Sequence, residues 1–178
     1  MLRPAVSFIP DLNWLYQDRI LKNEHRMYFH NPGFRWGPEI TPDTWNSIQF
    51  VSHDGEKVIG YFSCRFDRNT KTAHDIEAVN FYPQCKAVFG LDLRNFAVTV
   101  FNTMGMNRMV WDVIVGNPAE QMYDRIVQRF GGRIVGTFRQ SAMTPDGVLH
   151  NQKYYEMFRD DFNNNLPNSY RKGVIRHE

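Results

Sequence analysis

Apolar positions along the chain keep two periods, near two and near 3.6 residues, and the changes between them mark the elements. Residues 107–138 show this best. Met109, Val110, Trp111, Val113, Ile114 and Val115 form an almost unbroken apolar, β-branched run, which predicts a central strand covered on both faces. Asn117, Pro118 and Glu120 then fall at the N-cap, N1 and N3 positions of a helix, where side-chain oxygens satisfy orphaned amides and proline loses nothing. Met122, Tyr123, Ile126, Val127 and Phe130 share one helical face, and Gly131-Gly132 supplies a left-handed stop.

The same reading extends outward. Residues 5–9 predict a short strand, and a helix opens at Pro10-Asp11 and runs to about Lys22. Residues 23–47 hold three prolines and several aromatics, which predicts a long irregular segment. Strands over 48–53 and 57–66 flank Asp54-Gly55, a strong hairpin signal, and a third strand over 73–82 ends at Pro83. In that third strand Asp75, Glu77, Val79 and Phe81 alternate with Ile76, Ala78, Asn80 and Tyr82. Phe89, Leu93, Phe96, Val100 and Met104 recur at helical spacing over 88–104, and residues 132–143 and 148–159 make a closing hairpin around Pro145-Asp146-Gly147. The pattern predicts one α/β (α+β) domain over 1–165 followed by a polar tail over 166–178.

Composition narrows this picture modestly. Twenty-one Lys and Arg against nineteen Asp and Glu give a net charge of +2, too small a field to indicate a nucleic-acid or membrane partner. Cys64 and Cys85 are not spaced as a zinc or disulfide framework, no His or acidic motif indicates a metal, and no run of apolar residues approaches a bilayer's thickness. A reducing, cytoplasmic setting is therefore expected. Fourteen Phe, eight Tyr and four Trp favour either a deep core or a stacking cleft.

The closing segments carry a resemblance. The apolar strand, the turn at Asn117, the helix, Gly131, and then Gly136-Thr137-Phe138-Arg139, Asp146-Gly147 and Tyr154-Tyr155-Glu156-Met157 resemble the finish of the GNAT superfamily of acyl-coenzyme A dependent N-acyltransferases, in the branch that includes ribosomal-protein N-acetyltransferases. The resemblance covers roughly residues 48–160. It implies a mixed sheet of about six to seven strands flanked by helices, with acetyl-coenzyme A as cosubstrate and no metal. It further implies direct transfer to a small-molecule or protein amine, and it leaves room for a homodimer.

By the same resemblance, cofactor phosphates would sit at the turn into the helix after Pro83, where outward-pointing amides attract anions. That places Cys85, Lys86, Ala87, Val88, Phe89 and Gly90 at the cofactor, with Asn117 opposite. The main chain near Val79, Asn80 and Phe81 would pair with the pantetheine. Family members usually carry Arg/Gln-x-x-Gly-x-Gly/Ala at the turn, and this chain fits in neither of two registers: one puts Val88 at a glycine position, the other Phe89 and Leu91. Bulky side chains there would block close approach of a ligand to the backbone.

By the resemblance, Tyr123 stands in the helix that carries the tyrosine protonating the departing thiolate, about one residue early from Asn117 and about a turn early from Gly131, a role that suits a phenol; a half-buried core tyrosine fits at least as well. Glu77 is the first candidate for the base that takes the amine proton, and Asp112, a charge inside an apolar strand, is the second. The segment 23–47 would shape the acceptor pocket, which brings Tyr28, His30 and Trp36 to the substrate, with His25, Phe29, Phe34 and Trp45 nearby; otherwise these residues anchor a loop on the core. A non-catalytic protein that keeps the fold but not the cofactor is the competing expectation, and a nucleic-acid-modifying enzyme of the same fold is a weaker third.

Overall fold

The computed structural model describes residues 1–22, 38–42, 44–144 and 146–167. Its centre is β3 (Val58–Asp67), where residues 58–64 are all buried because both faces of the strand are covered. Beside β3 lie β2 (Ser47–His53), antiparallel to it as the Asp54-Gly55 turn predicted, and β4 (Thr72–Asn80), also antiparallel. β1 (Leu2–Pro4) adds the outer strand on that side. The strand expected over 5–9 is instead a tight helical turn, Ala5–Phe8: only Ala5 is buried, while Val6 and Ile9 face outward, so no strand face forms. The helix that follows, α1 (Ile9–Leu15), continues as a wider helical turn through Leu21.

On the other side of β4 the chain crosses over through α2 (Lys86–Val98), which widens into a π-helical turn, Thr99–Thr103, to β5 (Arg108–Ile114). Next come α3 (Glu120–Phe130), β6 (Arg133–Met143) and β7 (Leu149–Phe158). The sheet runs β1-β2-β3-β4-β5-β7-β6, and only β4 and β5 are parallel neighbours. Inside the sheet β5 buries Met109, Trp111 and Val113, whereas Arg108, Val110 and Asp112 remain partly open. The expectation of two covered faces thus holds fully for one face and only at Ile114 on the other, from which Asp112 projects.

Two cores flank the sheet. One gathers Phe62, Phe89, Phe96, Trp111, Tyr123 and Met157 under α2 and α3; the other packs Val51, Tyr61, Val79 and Phe81 against Leu12, Leu15 and Tyr16 of the first helical segment. At the start of α3 the Asn117 side-chain oxygen accepts from Ala119 N–H at 2.8 Å, and Glu120 reaches back to Gly116 N–H at 2.9 Å. The cap predicted there therefore exists as an Asx turn just ahead of the helix. Gly131 ends α3 at φ +84°, in the left-handed region. A final helix, α4 (Arg159–Asn165), was not predicted; it buries Phe162, and Leu166 beyond it is buried too, so the polar tail is anchored at its first residue. Among the described residues no helix is long and apolar enough to cross a membrane.

Candidate functional site

β4 and β5 are in register only at Thr72 with Arg108 and Ala73 with Met109, and then they part. A bulge causes the divergence. On β4 the register jumps so that Asp75 and Ile76 together oppose Cys64, and Asp75 sits at φ +50°, a conformation that bends the strand away from its neighbour. The gap opens into a cleft of about 580 Å³ between α2 and α3. Its floor is Ile76, Ala78, Met109 and Trp111, and Met122, Tyr123 and Ile126 face it from α3.

The main chain of β4 supplies donors and acceptors to this gap. Phe81 N–H donates to Ile59 O at 3.0 Å, so by strand alternation Val79 and Phe81 point their main-chain groups at β3, while those of Ala78 and Asn80 point into the gap. Of the three positions expected at the pantetheine, only Asn80 therefore presents its backbone there. The side chains of Val79 and Phe81 are buried on the opposite face, and Asn80 uses its side-chain oxygen to accept from Tyr82 N–H at 3.0 Å.

α2 meets the cleft with Lys86, Ala87, Gly90, Leu91 and Arg94. A Cβ built on Gly90 would meet nothing within 4 Å, so the helix backbone is bare there. Val88 points outward, Phe89 is buried in the core, and Cys85 stands in the turn before the helix. Of the three residues expected to block the phosphate loop, Val88 and Phe89 are therefore turned away from the cleft while Leu91 lines it, because the cleft-facing stripe runs through 86/87, 90/91 and 94 at helical spacing. Asn117 lies outside the cleft lining, and its side-chain oxygen is engaged in the turn before α3. Arg125 and Arg129 line the opposite wall, one turn apart on α3. Lys86, Arg94, Arg125 and Arg129 thus put four cations around one opening. The last three went unnoticed in the sequence, although Arg125 and Arg129 sit four apart, the spacing that places two side chains on one helix face.

Tyr123 lines the inner end of the cleft, and Glu77 and Asp112 lie near enough for their charges to act on it. Tyr123 packs edge-on against Trp111, with centroids 6.1 Å apart, and against Tyr155 at 5.8 Å. Burial pushes its phenol well above the usual tyrosine range, and the negative charges of Asp112 and Glu77 raise it further. Burial likewise lifts the Glu77 carboxyl to about 7, with Asp75 adding to the rise and Ser63 and Arg65 opposing it. Asp112 Oδ2 accepts from Gln152 Nε2 at 2.6 Å, and Tyr154 donates to Gln152 Oε1 at 3.2 Å. A carboxyl poised near neutrality on the α1 face of the sheet and a protonated phenol on the cleft face stand on either side of the bare edge of β4. Such a set can take a proton from one reactant and give one to another.

Tyr28, His30 and Trp36 lie outside the described residues, as do His25, Phe29 and Phe34. Trp45 is exposed at the end of that segment, its ring under the Arg68 guanidinium at 4.8 Å, and Arg68 also donates to Trp45 O. Trp45 is thus tied to the strand-end Arg68.

No protein-family model matches the chain, and no curated protein matches it in sequence. Solved structures do. RimL, a ribosomal L7/L12 alpha-N-protein acetyltransferase in complex with coenzyme A, aligns at a TM-score of 0.72 with 15% identity over 90% of this chain and 94% of that one. A mutant of the spermidine N-acetyltransferase SpeG from Vibrio cholerae aligns at 0.64 with 16% identity, over 91% and 96%. A GCN5-related N-acetyltransferase from Brucella melitensis aligns at 0.65 with 19% identity, over 90% and 76%. Against one shorter match the chain spans 58% of the other structure's length. The chain has the GNAT fold, a seven-stranded mixed sheet flanked by helices. At these identities the likeness is one of fold.

Proposed function

We propose that this chain is an acyl-coenzyme A dependent N-acyltransferase, with acetyl-coenzyme A as donor and an amine as acceptor. One observation carries the reading: the cleft between the parted strands β4 and β5 brings a cationic mouth, bare main chain and Tyr123 into one space, with the Glu77 charge near enough to act on that phenol. The residues present fit such a cosubstrate. Lys86, Arg94, Arg125 and Arg129 suit phosphates, Gly90 leaves the helix backbone open to close approach, and Ala78 and Asn80 offer an unpaired strand edge to a chain of amides. When bound, the thioester supplies an activated acyl carbonyl and a thiolate leaving group.

The chain's own groups handle the protons. Glu77, ionised above about pH 7, accepts a proton from the acceptor ammonium and leaves a free amine. As the carbon–nitrogen bond forms and the carbon–sulfur bond breaks, Tyr123 donates its phenolic proton to the departing sulfur and is reprotonated by the proton that the new amide nitrogen sheds, while Glu77 passes the ammonium proton on to solvent. Trp111 and Tyr155, stacked with centroids 5.5 Å apart, hold Tyr123 in place and keep the reacting end dry. Asp112, oriented by Gln152, attracts a cationic acceptor and keeps the Tyr123 proton on its oxygen.

The acceptor enters from the α1 side of the sheet, where Glu77 lies near Tyr16 and Tyr61. Tyr28, His30 and Trp36 belong to this reading as acceptor contacts, since an aromatic ring face holds a cation at roughly 0.5–2 kcal/mol per contact. Spermidine and a protein α-amine, the groups named for SpeG and RimL, are both amines of this kind. The test is thiol release from acetyl-coenzyme A across polyamines and peptides with free N-termini. At least one should support turnover that is lost in Glu77→Gln. A protein that binds the donor yet releases thiol with none of these amines contradicts the transferase reading.

A further inference from the structure

Among the described residues no group hydrogen-bonds the Tyr123 hydroxyl, so the phenol is held by its ring alone. Two buried rings hold it. Trp111 and Tyr155 stand directly opposite each other on β5 and β7, stacked at 9° with centroids 5.5 Å apart. Tyr123 meets them edge-on, at 6.1 Å and 5.8 Å. Such contacts place a ring only as firmly as the partner rings are themselves placed.

The hydroxyl of Tyr155 leads back to α3. It donates to Asp124 Oδ1 at 2.9 Å, and Asp124 is the residue next to Tyr123. The same carboxylate takes the Lys153 ammonium, 2.7 Å from Oδ1 and 2.9 Å from Oδ2. Lys153 lies two residues before Tyr155, on the same face of β7, and also donates to Glu120 Oε1 at 3.2 Å, one turn earlier on α3. One strand-borne cation therefore clamps the helix at two successive turns and offsets the repulsion between carboxylates four residues apart. With its other oxygen Glu120 accepts from Gly116 N–H at 2.9 Å, which ties in the turn after β5. The contacts close a ring: Tyr123 rests on Tyr155, Tyr155 is bonded to Asp124, and Asp124 is joined to Tyr123 by the main chain.

We propose that Asp124 is a positioning residue: clamped by Lys153 and bonded to the Tyr155 hydroxyl, it fixes the rings on which Tyr123 rests and so sets where the Tyr123 hydroxyl stands in the cleft. The proposal rests on the reading of Tyr123 as the proton donor. Neither Asp124 nor Tyr155 lines the cleft, so Asp124 acts on the reaction only through the aromatic cluster. With the bond made, α3 cannot roll or slide on β7 without stranding the hydroxyl of a buried tyrosine. With the bond cut, Tyr155 can tilt against Trp111, and Tyr123 follows. A small displacement of a proton donor slows the chemical step and leaves the contacts that bind the donor's phosphates as they were.

The experiment compares Asp124→Ala, Tyr155→Phe and the double variant, each made in the parent and in Tyr123→Phe. Single-turnover thiol release from acetyl-coenzyme A is read with spermidine as the amine, or with a peptide bearing a free N-terminus where spermidine is inert, beside calorimetric affinity for the donor. Each single variant should slow release about tenfold while donor Kd stays within about twofold. The double variant should be within about twofold of the slower single one, because both cut the same link. In Tyr123→Phe neither substitution should slow release by more than about twofold, since no proton donor is left to displace, whereas any loss of melting temperature should be alike in both backgrounds. Should Asp124→Ala fail to fold, Tyr155→Phe keeps the ring, removes only the hydroxyl and completes the same comparison with Tyr123→Phe. Release at the parent's rate, or equal slowing with and without the Tyr123 hydroxyl, overturns the proposal and leaves the acid role of Tyr123 standing. Tyr123→Phe alone decides that role: release at the parent's rate removes it, and the proposal with it.

Discussion

The ring of Phe89 is stacked on that of Phe62, with centroids 4.8 Å apart, and it covers Gly60 so closely that a Cβ there would come within 2.5 Å of the ring. A residue that aligns with a phosphate-loop glycine in one sequence register is thus a core residue, held by β3. Phe89→Ala should cost about 3–5 kcal/mol of stability, read from urea unfolding, because the ring leaves a cavity that cannot fully collapse. Gly60→Ala should destabilise as well, since the new methyl would also lie 2.8 Å from Val79 O, which is backbone and cannot step aside. Val88→Gly, at a position facing away from the cleft, should leave coenzyme A affinity nearly unchanged by calorimetry.

That correction shows what the sequence could and could not reveal. α3 and the β6–β7 hairpin were legible because periodicity, the Asx turn at Asn117 and the left-handed Gly131 all agree locally. The bulge at Asp75 was not, since it depends on how Cys64 and its neighbours pair across the sheet, and no local signal marks it. α4 escaped for a similar reason: Arg159–Asn165 is polar throughout except Phe162, whose burial against Phe101 and Phe130 is a tertiary event. Tyr123, Glu77 and Asp112 were found as residue types, but their closeness required the parting of β4 and β5.

Glu77 predicts opposite pH trends in stability and activity. Its carboxyl titrates near 4.5 when free and about 7 in the fold, so between those values the folded chain binds more protons than the unfolded one, and stability falls as pH rises. Glu77→Gln should flatten that fall and melt higher than the parent above pH 7, with the two converging below pH 4.5. Turnover of the parent should instead climb through about pH 7 as the base ionises. Melting curves across pH, set beside a pH–rate profile, check both signs.

Tyr123→Phe keeps the edge-on packing with Trp111 and Tyr155 and removes only the phenolic hydroxyl, the proposed proton donor. Turnover should drop by roughly 10²–10⁴-fold while donor affinity changes little, the signature of a group that acts in the transition state. Pre-steady-state thiol release measures it directly, and unchanged turnover would leave the tyrosine a packing residue.

Arg125 and Arg129 share one helix face on the wall opposite Lys86. If they hold phosphates, Arg125→Ala should weaken coenzyme A binding by about tenfold or more, the worth of a charge-assisted hydrogen bond, and should flatten its salt dependence. Dephosphorylated or truncated pantetheine ligands should lose this sensitivity in titrations run beside it.

The central claim is that the parting of β4 from β5 makes a donor site, and calorimetric titration with acetyl-coenzyme A tests it most directly. A single saturable site is expected, weakened by Arg125→Ala and by a leucine at Gly90, whose side chain would enter the open space over the helix backbone. Absence of heat and of any thermal shift at saturating ligand, or binding indifferent to both substitutions, would contradict it.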